Sequence, residues 1–155
     1  MYDRDLATEI LSQILKATQK VLRRFEPIQS PDDFVLSEAG LEKFDAICIQ
    51  LIAIGEGLKN LDKVTENKLL PNYPQVDWTK AKALRDIISH HYFDVNEEAI
   101  FIVCGKHIKN LESTIEHINC GRARCMRKIR PMGMKCAHRN AILCQSIRPQ
   151  QMVEA

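Results

Sequence analysis

The chain has 155 residues, of which 45% are hydrophobic and 27% are charged. This length corresponds to one domain of about 100–200 residues, and the composition excludes a disordered or collagen-like chain. No apolar run approaches the roughly 20 residues of a membrane-spanning helix. The charged segment Met1 to Glu9 is not built like a signal peptide. We therefore expect a packed cytoplasmic protein that makes no membrane contact.

Charge divides the chain at Cys120. Residues 1–119 hold 14 Lys and Arg against 19 Asp and Glu, a balance of −5, whereas residues 120–155 hold 8 basic residues against one acid, a balance of +7. A basic segment attracts RNA phosphates, but this one has no aromatic residue for base stacking. We predict a helical domain over 1–119 and a basic, cysteine-rich, disordered tail over 120–155.

Four cysteines and one histidine in this tail are potential zinc ligands: Cys120, Cys125, Cys136, His138 and Cys144. Structural zinc sites favour closely spaced ligand pairs, and these cysteines are separated by four and by seven residues. We therefore predict no metal site and no cofactor.

The first two predicted helices are amphipathic. Over residues 5–25, apolar residues recur every three or four positions, which is typical of one buried helix face. Over residues 37–61 the apolar face is broader, which indicates a helix at the centre of a bundle or at a dimer contact. Gly55 and Gly57 lower helix propensity there and indicate the close approach of another backbone.

Two further helices follow a connection that is rich in Asn and Pro. Asp77 is a candidate N-cap for a helix over residues 78–91, and Asn96 is one for a last helix that ends near Asn119 and Gly121. No alternating, β-branched stretch predicts a strand. The fold is predicted to be all-α, an up-and-down bundle of four main helices that dimerises through its helix faces.

The densest group of ionisable and nucleophilic side chains lies at the end of the third helix: Arg85, Asp86, Ser89, His90, His91 and Tyr92. Arg binds phosphate bidentately, and His exchanges protons near neutral pH. In RNA the 2′-hydroxyl is an internal nucleophile, so Arg and His suffice for phosphate-ester chemistry without a metal. Asp86 lies one turn before His90 and is placed to orient it.

Helical geometry limits how these residues combine. Arg85 and His90 differ by about 140° around the helix axis. They serve one small site only if the helix ends near His90 or if a second subunit supplies one of them. The alternative reading is a solvated helix end with an Asp86–His90 pair.

The run from Arg85 to Tyr92 resembles the signature of HEPN domains: Arg, four residues, His, any residue, Tyr. Residues 52–57, Ile-Ala-Ile-Gly-Glu-Gly, resemble the Ile-Gly-Glu-Ala region of that family, and residues 73–78 resemble its Pro and Trp segment. Residues 92–96 are similar to its Tyr, two residues, Val-Asp continuation, with Asn96 in place of the Asp. The resemblance covers about residues 5–119 and points to the HepT-like branch.

This resemblance implies a dimeric, metal-independent RNase toxin that acts on RNA and is paired with a small nucleotidyltransferase antitoxin of the MntA type. By the same analogy Arg85 and His90 are catalytic, and Tyr92 is the residue to which the antitoxin attaches AMP. Three further residues support this site: Ser89; Asp86, which replaces the usual Asn; and Glu56, which is placed to hold Arg85, with a surface or bundle-end position as the alternative.

A second hypothesis belongs to another functional class. The same chain is then a non-catalytic helical partner, or a nucleotide-binding subunit, of a nucleotidyltransferase. The acidic body favours this hypothesis, since a balance of −5 over residues 1–119 attracts RNA poorly. A two-fold arrangement of Lys80, Lys82 and Arg85 would reverse the local sign, so the charge at the cleft discriminates between the two.

Overall fold

A computed structural model describes residues 2–90 and 92–127, with the side chains of Phe93 and of residues 122–127 excluded. Within these residues the chain forms α-helices, three short 3-10 helices and one π-helical turn, and no strand. The helices are α1 (Arg4–Phe25), α2 (Glu38–Val64), α3 (Trp78–His90), α4 (Glu97–Ile102) and α5 (Ile108–Arg127). The π-helical turn, Val103–His107, joins α4 to α5. The predicted all-α bundle is confirmed.

The helices α1, α2, α3 and α4 each begin where a short polar side chain caps the first turn. Asp3, Ser37, Asp77 and Asn96 accept backbone N–H groups of the following turn at 2.7–3.0 Å. Such caps satisfy N–H groups that have no partner inside the helix. The predicted starts of α2, α3 and α4 are therefore confirmed.

The core forms around α2, which packs against both α1 and α3, while α1 also packs against α5. This central position confirms the interpretation of its broad apolar face. The largest fully buried side chains are Leu11, Val21, Phe34, Ile47, Leu51, Leu58, Leu61, Leu70, Ile88, Ile100, Ile115 and Ile118. At about 25 cal/mol per Å² of buried apolar surface, such a core is the main source of stability.

The last helix extends beyond its predicted end. The expected stop at Asn119 and Gly121 is wrong, because α5 continues to Arg127. A glycine inside a helix costs only about 1 kcal/mol, and the Arg, Ala and Met residues around Gly121 are good helix formers. Residues 120–127 thus belong to α5, whereas residues 128–155 of the predicted tail lie outside the described residues.

In the part of the chain that the structure describes, no helix combines the length and the apolar composition needed to cross a membrane.

Candidate functional site

The site is built on α2 and α3, which run antiparallel. Polar contacts link the two helices and the segment after α3. The highest-numbered α2 residue pairs early in α3, the next two pair near its middle, and the lowest-numbered pairs after α3. The pairs are Asp62 with Lys82, Lys59 with Asp86, Glu56 with Arg85, and Asp45 with Tyr92. This register places the candidate residues of α3 against the second half of α2.

Arg85 lies in a confined position on α3. A Cβ atom added to Gly55 would lie 2.4 Å from Cβ of Arg85, so the two helices pack closely here. The prediction that Gly55 marks the close approach of another backbone is confirmed, because the Ala81 carbonyl oxygen lies 3.4 Å from the same point. Gly57 instead faces the Ile14 side chain of α1. Only a residue without a side chain at position 55 permits this packing.

Two carboxylates hold the Arg85 guanidinium. Its Nε lies 3.1 Å from Oε2 of Glu56, and its Nη1 donates to Oδ1 of Asp86 at 2.9 Å. The Nε–H is buried and not aligned for a hydrogen bond, so its contact with Glu56 is ionic. The expected contact between Glu56 and Arg85 is therefore present, and Arg85 retains 32% exposure of its side chain.

Asp86 is held by α2 rather than by His90. Lys59 donates to both carboxylate oxygens of Asp86, at 2.6 and 2.8 Å. These bonds, and then that from Arg85, hold the pKa of Asp86 below its ordinary value. The predicted Asp86–His90 pair is wrong: the two side chains share no hydrogen bond or ion pair in the described structure. Lys59 and Arg85 occupy the carboxylate instead.

These contacts make a compensated charge cluster, which we define as Glu56, Lys59, Arg85 and Asp86. It holds two positive and two negative side chains. Asp86 therefore does not stand as an isolated negative charge beside Arg85. The cluster is neutral, and a single copy of the chain supplies no excess of positive charge from it.

His90 is the last residue of α3, and its side chain is exposed. Among the described residues, the side chains of His90 and Ser89 make no hydrogen bond or ion pair, and both are exposed. Because α3 ends at His90, one of the two conditions under which Arg85 and His90 serve one site is met. His91 lies outside the described residues.

Tyr92 turns back to α2 from a short 3-10 helix, Tyr92–Asp94. Its hydroxyl donates to Oδ1 of Asp45 at 2.5 Å, and the residue is 37% exposed. Burial of the phenol, together with the neighbouring Asp45 carboxylate, raises the pKa of Tyr92 well above its ordinary value. The hydroxyl is therefore protonated, and able to donate, at neutral pH.

Asp45 and Lys59 were not predicted from the sequence. Both lie on α2, 47 and 27 residues from their partners. Polar residues at positions 45, 56 and 59 could have indicated them, because the helix was otherwise predicted to have a broad apolar face. An antiparallel pairing of α2 with α3 would have placed them opposite the motif.

The described residues contain no group of three or more His, Cys, Asp or Glu side chains with the arrangement of a metal site. Cys48 and Cys104 are buried thiols, and Cys120 is partly buried. The Cys125 side chain, Cys136, His138 and Cys144 lie outside the described side chains, so the absence of zinc from the tail stays a prediction.

An all-α bundle with Arg and His five positions apart at the end of its third helix, followed by Tyr, has the arrangement of a HEPN domain. The family model described as Ribonuclease HepT-like matches residues 10–118 of the chain. The chain therefore belongs to the HepT-like ribonuclease family.

Two relatives carry ribonuclease names. The chain is 43% identical over 77 residues to "Putative RNase MJ0127" of Methanocaldococcus jannaschii, a match that covers 47% of this chain and 60% of that protein. It is 30% identical over 111 residues to "Putative RNase TTE0752" of Caldanaerobacter subterraneus subsp. tengcongensis, which covers 70% of this chain and 89% of that protein. No solved structure matches significantly.

Proposed function

We propose that the chain is a metal-independent endoribonuclease of the cytoplasm, active as a homodimer and serving as the toxin of a two-component system. One observation carries the proposal. Arg85 packs against Gly55, and Glu56 and Asp86 hold its guanidinium. An exposed imidazole, His90, lies at the end of the same helix. Membership of the HepT-like ribonuclease family supports the assignment of RNA as substrate.

The proposed reaction uses the internal nucleophile of RNA. The 2′-oxygen attacks the adjacent phosphorus, and the bond from phosphorus to the 5′-oxygen breaks. The products are a 2′,3′-cyclic phosphate and a 5′-hydroxyl. Arg85 binds the non-bridging oxygens and stabilises their developing charge. A neutral His90 accepts the proton of the 2′-hydroxyl, and a protonated His90 donates one to the leaving 5′-oxygen.

A dimer is the proposed active form because a second copy would bring a second Arg85 and a second His90 to the same phosphate. Glu56 and Asp86 offset the charge of Arg85 within one copy. Apolar surface is available on both helices of the site: Ile49 of α2 is 59% exposed, and Ile87 of α3 is 55% exposed. These two side chains are candidates for the contact between two copies.

Control by a nucleotidyltransferase is the second part of the proposal. The partner would transfer AMP from ATP to the Tyr92 hydroxyl: the Tyr92 oxygen bonds to the α-phosphorus, and pyrophosphate leaves with the electrons of the broken bond. The phenolic proton passes to solvent. The partial exposure of Tyr92 supports access to its hydroxyl. The added phosphate would place negative charge where RNA binds.

The neutral cluster also supports the second candidate function, a non-catalytic partner of a nucleotidyltransferase. In that case the α2–α3 surface docks the enzyme, and RNA is not cleaved.

Cleavage of transfer RNA in EDTA tests the first function against the second. We would compare the wild-type chain with His90→Ala and with His107→Ala, a matched control that removes another exposed histidine. The ribonuclease requires that wild type and His107→Ala yield 2′,3′-cyclic phosphate ends and that His90→Ala does not. Equal RNA fragments from all three proteins would refute it.

The control mechanism needs its own test. Wild type and Tyr92→Phe would each be incubated with ATP and the co-purified nucleotidyltransferase, and intact masses would be measured. The proposal requires addition of AMP to wild type alone, together with loss of cleavage. Modification of the phenylalanine variant would place the acceptor elsewhere in the chain.

A further inference from the structure

One contact ties the segment that follows His90 back to α2. The Tyr92 hydroxyl lies 2.5 Å from Oδ1 of Asp45, although the two residues are 47 positions apart. Tyr92 is two residues beyond His90, where α3 has already ended. A hydrogen bond to a carboxylate is shorter and stronger than one between neutral groups.

His90 itself gains little positional support from its side chain. In the described structure it makes no hydrogen bond or ion pair, and it is exposed. Its place is therefore set by its backbone, which α3 holds on one side and the Tyr92–Asp94 turn holds on the other. Tyr92 is 37% exposed, and its bond to Asp45 adds a fixed point on α2.

We propose that Asp45 is a positioning residue of the ribonuclease site, which fixes His90 by binding the Tyr92 hydroxyl. The inference rests on the proposed function, because it assigns Asp45 a part in RNA cleavage. A misplacement of about 1 Å at a reacting group costs up to a hundredfold in rate. Asp45 acts through Tyr92 and does not touch RNA.

The same contact gives Tyr92 modification a second effect. An AMP ester on the hydroxyl oxygen has no proton to donate to Asp45. It also places an anionic phosphate next to the Asp45 carboxylate, which repels it. Modification therefore breaks the bond to α2 and releases the segment after His90, in addition to any obstruction of the cleft.

A purely electrostatic role of Asp45 makes the opposite prediction. If its carboxylate only repelled RNA, its removal would strengthen RNA binding and leave the chemical step unchanged. KM would then fall at constant kcat. A positioning role instead lowers kcat, because the imidazole is misplaced in the transition state.

The experiment measures kcat and KM for cleavage of a fluorophore- and quencher-labelled RNA oligonucleotide that wild type cuts. Asp45→Ala is compared with Asp45→Asn, which retains an oxygen acceptor. Glu42→Ala is the matched control, since it removes an exposed carboxylate from the preceding turn of α2. We expect kcat to fall about ten- to a hundredfold in Asp45→Ala, with partial rescue in Asp45→Asn and no change in Glu42→Ala.

A double variant and a measurement of amide hydrogen exchange complete the test. The loss in the double variant Asp45→Ala/Tyr92→Phe should be smaller than the sum of the two single losses, because both changes remove the same contact. Amide hydrogen exchange over residues 92–96 should be faster in Asp45→Ala than in Glu42→Ala. Additive losses, or equal exchange and equal kcat in the two alanine variants, would overturn the inference while leaving the ribonuclease intact. Wild type no more active than His90→Ala would overturn the ribonuclease and the inference together.

Discussion

Gly55 of α2 and Arg85 of α3 lie so close together that a Cβ on the glycine would be 2.4 Å from Cβ of the arginine. The Ala81 carbonyl oxygen lies 3.4 Å from the same point, so backbone as well as side chain closes the gap. The close packing holds the base of the Arg85 side chain, and the compensated charge cluster holds its guanidinium. Arg85 is therefore fixed at both ends.

Substitution of Gly55 by Ala should separate α2 from α3. The added methyl meets Cβ of Arg85 and has no flexible side-chain end to displace, so we expect a loss of about 1–3 kcal/mol in the free energy of unfolding. Ribonuclease activity should fall with it, because Arg85 moves. Urea unfolding and RNA cleavage measure the two effects.

Gly121→Ala is the control for this prediction. Gly121 lies inside α5, and a Cβ there meets nothing within 4 Å. The substitution should raise stability by up to about 1 kcal/mol through helix propensity alone. If Gly55→Ala proved equally stabilising, the close approach of α2 and α3 would not govern the packing.

Replacement of Lys59 by Met should weaken RNA binding. The change leaves the compensated charge cluster with a net negative charge, because Asp86 loses the partner that binds both its oxygens. We expect KM for RNA to rise about two- to fivefold with kcat nearly constant. The double variant Lys59→Met/Asp86→Asn restores neutrality and should recover KM. A fall in kcat at constant KM would assign Lys59 a different role.

The contribution of Asp86 to stability should depend on pH. Its pKa in the folded chain is lowered, so its contacts stabilise the fold above the unfolded pKa of about 3.9 and are lost as pH falls through the folded value. Asp86→Asn should therefore lower Tm at pH 7, and the difference from wild type should shrink below about pH 4. Thermal unfolding across pH measures this, with Asp32→Asn as the control for an exposed carboxylate outside α2 and α3. A difference that is constant across pH would contradict the assignment.

The buried thiols should resist alkylation while the chain is folded. Burial raises the pKa values of Cys48 and Cys104 to about 12, so only about one molecule in ten thousand carries a thiolate at pH 8. Iodoacetamide should label the partly buried Cys120 first, and should label Cys48 and Cys104 only after denaturant is added. Peptide mass spectrometry measures the order in which the three cysteines are alkylated. Equal rates at all three cysteines would show that the core around α2 opens readily.

Local signals in the sequence were sufficient to predict the starts of α2, α3 and α4. The contacts that cap α2, α3 and α4 span three residues or fewer, so the sequence alone predicts where these helices start. The capping residues are Ser37, Asp77 and Asn96. The end of α5 was not predicted correctly, because the penalty of one glycine was outweighed by helix-forming neighbours. The π-helical turn Val103–His107 had no signal in the apolar pattern.

The candidate site was also predicted only in part. Arg85, His90 and Tyr92 were identified from a motif of eight residues, and the contact of Glu56 with Arg85 was expected from the position of Glu56 on the helix that faces the motif. The expected Asp86–His90 pair was inferred from helical spacing alone. It was lost because Lys59 reaches Asp86 from α2.

The amino-acid sequence by itself determined the helical class, the helix starts and the identity of the motif residues, because these depend on neighbours within one or two turns. Only the tertiary structure decided which side chains the motif meets. Lys59 and Asp45 become partners of Asp86 and Tyr92 through the antiparallel register of α2 and α3. That register is set by packing around Gly55 and by the shared core, which no local pattern encodes.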